Sequence, residues 1–283
     1  MPSLRISSCM AENAEFICRK ISSYIGERLQ IPVEFVCDIP WPERERLLDS
    51  GEIQICWICG LPYVWKADAQ DSHIELLAAP VMKGKRYNHQ PVYFSDVVVR
   101  RASDYKDFAD LRGAVWAYNE PFSHSGHNLV AYHLSRMGEG WDYFDEVIES
   151  GAHQISLQMI IEGRVAASAI DSTVLEMELA RRPEVRPLVR VIATLGPSPM
   201  PPFVAHRSLS LSVRRAIKDL LLRMHTDPHG RAILDEGLVE RFAMVEDSFY
   251  DAIREMSRAA GTRFCQYSYQ RTVVSPLIND AAL

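Results

Sequence analysis

Apolar residues along this chain switch repeatedly between short continuous or alternating runs and runs spaced by three and four, which predicts strands and helices in succession. The first strand candidate is LRISSCM, Leu4 to Met10, and helical spacing follows from Ala14 to Leu29. VEFVCDI predicts a second strand, WPERERLLDSG a short helix, and IQICWI a third strand that runs at Gly60 into the helix start GLPYVW. This β-α-β-α-β order implies a mostly parallel sheet with helices on its faces. Next come the apolar run ELLAAPVM, a hairpin-like turn near Lys83 to Asn88, and the extended run PVYFSDVVVR. DYKDFADLRGAVWAYN repeats the helix-to-strand grammar, Gly126 to Met137 reads as a helix, and FDEVIES leads into a strand-like turn at SGAHQISL. SLQMIIEGR is helical, VAASAI a small-residue strand, TVLEMELARR a helix and VRVIATLG a return strand. A proline cluster, GPSPMPPFVAH, precedes three amphipathic helices, SLSVRRAIKDLLLRM, DPHGRAILDEG and DSFYDAIREMSRAAG.

PVYFSDVVVR and VRVIATLG each stand where one α/β unit gives way to another. Two such crossings suit a two-lobed α/β protein with paired hinge strands. The expected division is residues 1–94 plus 194–283 for one lobe and 95–193 for an inserted second lobe, with hinges near 92–98 and 189–195. Ligands of such folds bind at the carboxyl ends of strands and in clefts between lobes. Four strand ends carry polar or glycine punctuation: Ser7 and Ser8, Gly60 to Tyr63, the Ser123 turn, and Asp171 to Thr173.

The stretch WAYNEPFSHSGHNL, Trp116 to Leu129, is the most informative of these. An apolar strand ends, Pro121 breaks it, and Ser123, His124, Ser125 and Gly126 precede the helical apolar positions Leu129, Val130, Leu134 and Met137. Unpaired helix-start N–H groups, the positive end of the helix dipole and two hydroxyls would meet at one place, which suits a phosphate, phosphonate or carboxylate. An ordinary serine N-cap explains the same residues. His124 and His127 are spaced to share a helix face, but a metal site would need His153 or Asp171 as a distant third ligand, and hydrogen-bond donation is the commoner role. No metal and no cofactor are expected. Cys56-x-x-Cys59 lies in an apolar strand run, where packing is the expected role and Cys59, beside Gly60, is the one near the cleft.

Composition sets outer bounds. The chain has 283 residues, 47% hydrophobic and 24% charged, in the ordinary range for one or two globular domains. Its net charge of −6 argues against a nucleic-acid or anionic-membrane surface, and no apolar run approaches the roughly 20 residues needed to insert in a membrane. The N-terminal residues show no apolar leader core or cleavage site, and the six cysteines show no secreted disulfide spacing. Both read as cytoplasmic, or as periplasmic for a chain whose leader has been removed.

YFSDVVVR, DLRG, the Ser-x-Ser-Gly turn, SGAHQISL and AIDS, followed by Asp227-Pro228 and Arg241-Phe242, occur in an order that resembles the PhnD-like phosphate, phosphite and phosphonate substrate-binding proteins of ABC transporters. The resemblance covers nearly the whole chain and implies the two-lobed type 2 periplasmic-binding-protein fold, each lobe a mostly parallel sheet flanked by helices. It implies a site in which Ser123, His124, Ser125 and Gly126 hold the anion, Tyr93 closes over it and His153 donates a hydrogen bond. Tyr63 from the opposite lobe, Asp171, Tyr118 and Ser8 are further candidates. His124 stands where the family's turn often carries threonine, which would turn a titrating donor toward the anion. Thr173 and the Pro201 region stand where aminoethylphosphonate-binding members carry carboxylates, so the resemblance implies no ammonium site there. The implied partners are a small-molecule anion and an ABC-transporter permease, with no nucleic acid. A cytosolic enzyme of the same fold, using His153 or His124 as acid or base on a small carboxylate or phosphate, is the alternative. A solute-binding protein accounts for the hydroxyl turn and the hinge strands with fewer assumptions.

Overall fold

Two mixed β-sheets, each with helices on its faces, organise the chain; the computed structural model describes residues 3–261. The chain runs β1 (Leu4–Ser8), α1 (Glu12–Leu29), β2 (Val33–Val36), α2 (Trp41–Asp49), β3 (Ile55–Trp57), α3 (Gly60–Ala67) and β4 (Ile74–Met82). After β5 (Val92–Arg100) and β6 (Val115–Tyr118), a π-helical turn (His124–Asn128) opens α4 (Leu129–Arg136). Then follow β7 (Glu146–Glu149), α5 (His153–Glu162), β8 (Ala167–Asp171), α6 (Ser172–Arg181) and β9 (Val189–Pro199). β10 (Phe203–His206), α7 (Leu211–Arg223), α8 (Pro228–Glu236), β11 (Val239–Ala243) and α9 (Asp251–Ala259) complete the described chain.

The first sheet has the order β11-β4-β10-β3-β1-β2 and the second β7-β6-β8-β5-β9. Expected as mostly parallel, both are mixed: β1 pairs in parallel with β2 and β3, and β6 with β7 and β8, whereas β10, β11, β5 and β9 run antiparallel to their neighbours. The cause is that the chain enters and leaves the second sheet by single strands without a crossover helix, and a strand that returns this way runs backwards. The expected hairpin at Lys83–Asn88 is not one, because β4 and β5 belong to different sheets. That connection carries the chain from the first sheet to the second, and residues 200–202 carry it back. β5 and β9 lie side by side from Val92↔Pro199 to Arg100↔Val189.

One apolar core packs around the first sheet. The second sheet has a core on each face, and alternation along β5 sends Val97 and Val99 to one and Val98 to the other. β10 hides in the proline cluster: Phe203, Val204 and Ala205 are fully buried between β3 and β4, yet the run is too short to read as a strand. The strand-like turn expected at SGAHQISL is instead the first turn of α5.

Elements of the two sheets also touch directly. The Asn13 amide of α1 donates to the Val174 carbonyl at 3.1 Å and to Glu178 at 3.0 Å, both on α6. Nearer the crossing, Arg86 donates from both terminal nitrogens to the buried Asp96 carboxylate at 2.7 and 2.9 Å, and Thr194 of β9 donates to the same group at 2.8 Å. Removing one partner of a buried ion pair leaves a desolvated charge, so Arg86→Ala is expected to destabilise the protein by about 3 kcal/mol. Urea unfolding is the check: Asp96→Asn in the Arg86→Ala background should recover part of the loss, and an unchanged midpoint in Arg86→Ala contradicts the assignment.

Candidate functional site

The end of β3 meets the turn after β6, where the Cys59 sulfur accepts from the His124 N–H, and that turn packs against β8 and the start of α3. At the centre is the turn after β6. Ser123 has extended backbone, and its Oγ accepts from the Gly126 N–H at 3.0 Å, so it is the N-cap. Its hydroxyl proton is left for another acceptor. The Ser125 carbonyl accepts from Ser95 Oγ of β5 at 2.8 Å, which ties the turn to the middle of the second sheet. Glycine is required at 126 because an added Cβ would stand 1.9 Å from Asn119 Oδ1 and 3.1 Å from His153 Cε1.

His124 is fully buried, and its ring is turned into the protein. Asn128 Nδ2 donates to its Nδ1 at 3.0 Å, so Nε2 carries the proton, which goes to Ser198 Oγ of β9 at 3.0 Å. Burial pushes its pKa down to about 3. The sequence suggested a titrating donor facing an anion; the structure gives a neutral ring with both nitrogens engaged. What His124 offers the cleft is its backbone N–H, which meets the Cys59 sulfur from the end of β3.

Ser125, His153 and Tyr93 are brought together. Ser125 Oγ lies 3.1 Å from His153 Nε2, at the first position of α5, and burial lowers the His153 pKa to about 4. Among the described residues His153 Nδ1 is buried without a partner, and the Tyr93 hydroxyl has none beyond Ser125. Burial raises the Tyr93 pKa, and Cys59, Asp171 and Ser125 all act on it, so these groups share one enclosure. Asp171 caps α6: its Oδ1 accepts from the Thr173 N–H at 2.8 Å and from Thr173 Oγ1 at 2.7 Å, while burial raises its pKa to about 6.

Three expected residues lie apart from this group or are otherwise occupied. Tyr118 donates outward to Glu149 at 3.2 Å, with its ring against His127 and Trp141. Tyr63 packs on Tyr250 and donates to Asp247 at 2.7 Å. Ser8 accepts from the Met10 N–H at 3.2 Å and so caps the end of β1. His127, stacked on Trp141, and His124 face different partners, and among the described residues no group of His, Cys, Asp or Glu is arranged to hold a metal. Cys56 packs with Cys9, their sulfurs 3.6 Å apart, and Cys265 lies outside the described residues.

Asn119, Asn128 and Ser198 were not singled out from sequence. Asn119, the first residue beyond β6, has a buried Oδ1 without a partner among the described residues. Glu120 is the other polar residue at this strand end. Its Oε2 is buried with no partner among the described residues, and burial, then Glu45 and Glu149, raise its pKa to about 8.

The profile of a family described as ABC transporter, phosphonate, periplasmic substrate-binding protein matches residues 11–250. The chain belongs to this family. Solved structures share the fold of this phosphonate-receptor family. PhnD1 from Prochlorococcus marinus, in complex with methylphosphonate, superposes with a TM-score of 0.81 at 17% identity, over 92% of this chain and 98% of that one. The binding-protein component of an ABC phosphonate transporter from Pseudomonas aeruginosa gives 0.80 at 15% identity, over 92% and 87%. A protein from Xanthomonas citri bound to ATP gives 0.71 at 15%, over 92% and 98%. No helix among the described residues is long and apolar enough to cross a membrane.

Glu120 gives this receptor a pH signature. Its pKa of about 8 in the folded protein exceeds the ordinary carboxylate value, so the folded state holds the proton more tightly than the unfolded state. Its contribution to stability is complete below the ordinary carboxylate pKa and is lost as pH rises toward about 8. Between about pH 5 and pH 8 the ligand-free protein is expected to lose thermal stability relative to Glu120→Gln, whose amide does not titrate. Parallel melting-temperature profiles for the two proteins would show a solvated carboxylate instead.

Proposed function

We propose that this chain is the receptor of an ABC importer for a small oxyanion, phosphate, phosphonate or a close relative, bound between two lobes that close around it. The observation that carries this is the set of buried polar groups at the turn: among the described residues His153 Nδ1 lacks a partner, Tyr93 OH has none beyond Ser125, and Ser125 Oγ bonds to His153 Nε2. Buried polar groups are ordinarily paired, and the oxygens of a bound anion would supply what is missing. The helix start adds its dipole and N–H groups. In this reading Ser123, Ser125, His153 and Tyr93 bind through side chains, while His124 and Gly126, whose N–H groups go to Cys59 and to Ser123 Oγ, hold the turn in shape, with Asp171 holding α6 beside them. Tyr63, Tyr118 and Ser8 support the cleft walls.

The moving bodies would be residues 1–94 with 194–283 and residues 95–193, bending where β5 and β9 run together near 92–98 and 189–195. Closure fits a receptor that must hold its ligand and then release it to a permease. The permease is the implied partner, and work alongside it supports a periplasmic location. An acid or base role has only His153 left, since both ring nitrogens of His124 are engaged.

A thermal-shift screen of phosphate, phosphite, methylphosphonate, sulfonates and small carboxylates tests the reading. The best anion is expected to raise the melting temperature, and Ser125→Ala and His153→Ala are each expected to lose about 2 kcal/mol of binding, the scale of a hydrogen bond to a charged group. Undiminished shifts in both variants would remove the site from this turn.

A further inference from the structure

A buried carboxylate stands beside the anion turn. Asp171 ends β8 and pairs in register with Ser95 of β5. Directly paired residues of an antiparallel ladder send their side chains to the same face, with Cβ atoms about 5 Å apart. On that face Ser95 Oγ donates to the Ser125 carbonyl at 2.8 Å, so Asp171 lies one strand away from the contact that holds Ser125. The Tyr93 hydroxyl, which interacts with Ser125, and the Cys59 sulfur, which meets the His124 N–H, both feel the Asp171 charge.

The neighbours of Asp171 leave it with a negative charge and with room to accept. Its Oδ1 takes the Thr173 N–H at 2.8 Å and the Thr173 hydroxyl at 2.7 Å, and the Val174 N–H adds to them. A carboxylate offers about four lone-pair sites, so acceptor capacity remains. Asp96 of β5 acts on it with like charge, and the Arg86 guanidinium is engaged by Asp96 at 2.7 and 2.9 Å and by Glu176 of α6 at 3.4 Å. The turn and α5 bring His124 and His153, which burial keeps neutral. Cys59, Tyr93 and Tyr87 all have raised pKa values and are neutral as well. Burial lifts Asp171 itself only to about 6, so at neutral pH it is mostly ionised.

An oxyanion seated at Ser125 brings a second negative charge into the same enclosure. Two acidic groups in contact do not both ionise fully there; they share a proton. Backbone donors at the turn do little to offset the repulsion, since the His124 N–H goes to Cys59 and the Gly126 N–H to Ser123 Oγ. A fully ionised phosphonate has no proton to share, whereas the singly charged form carries a P–O–H group. We propose that this receptor takes its oxyanion in the singly protonated form, with the P–O–H group donating to the Asp171 carboxylate.

This rests on the oxyanion reading above and narrows its ligand class. Phosphonates, phosphite and phosphate keep or regain one proton near neutral pH, but sulfonates and sulfate do not. A site built around a ligand hydroxyl rejects an isostere lacking it, because the buried acceptor is left unpaired. Above the second ionisation of the ligand each binding event must also take up a proton, so affinity falls as pH rises.

Isothermal titration of methylphosphonate and its isostere methanesulfonate tests this, at about pH 8.5 in two buffers of different ionisation enthalpy. The wild-type protein is expected to take up about one proton with methylphosphonate. It is expected to bind methanesulfonate at least ~10-fold more weakly. Asp171→Asn retains a side-chain oxygen for the α6 N-cap and presents an amide donor in place of the other oxygen. In that variant methanesulfonate should bind at least ~10-fold more tightly than in the wild type, and proton uptake with methylphosphonate should disappear. Equal wild-type affinity for the two ligands overturns the proposal, and so does an Asp171→Asn protein whose proton uptake and preference are unchanged. The wild-type proton count decides by itself if the variant does not fold. Methylphosphonate binding without proton uptake removes this inference alone, whereas absence of binding by phosphate, phosphite and methylphosphonate removes the oxyanion reading with it.

Discussion

The neutral imidazole of His124, accepting from Asn128 and donating to Ser198, fixes the turn on which the site depends. Asn128 lies one π-helical turn further along and Ser198 on β9, so one buried ring joins the start of α4 to an edge strand of the second sheet. A protonated ring would set a second N–H against the Asn128 amide and put a charge into an apolar interior, two costs that act together. With the turn fixed, Ser125 sits against His153 and Gly126 leaves room for Asn119. In the family's hydroxyl turn the residue at this place is often a side-chain donor. Here it anchors the backbone, and donation passes to its neighbours.

Around that anchor burial displaces the titratable groups toward their neutral forms, Asp171 least, so that it stays mostly ionised at neutral pH. Burial lowers His124 and His153 and raises Asp171 and Glu120, so each is displaced toward its uncharged form. The effect is an enclosure of low charge with oriented dipoles and buried hydrogen-bonding groups. Within it a neutral His153, held by Ser125, can donate one hydrogen bond.

Much of this was legible in the residues. Alternating apolar periods revealed the α/β order, and the proline break before Ser123 marked the turn, because both signals are local. The lost features depend on distant chain. β10 is recognisable as a strand only once β3 and β4 flank it. Ser198, inside a proline cluster, acquires its role from a histidine 74 positions earlier in sequence. The orientation of His124 could not be read either, because a helix-start pattern does not distinguish a side chain facing the cleft from one turned into the core. Asn119 was the exception that a stricter reading would have caught: a polar residue directly after a buried strand has to find a partner.

The central claim, that an oxyanion occupies the turn beside Ser125, His153 and Tyr93, is tested most directly by the ring nitrogens of His153. In a long-range ¹⁵N–¹H correlation spectrum recorded during a methylphosphonate titration, both His153 nitrogens should shift on binding, while His124 stays in its neutral Nε2–H form throughout. Saturable binding that leaves the His153 nitrogens unmoved would place the anion elsewhere and contradict the account.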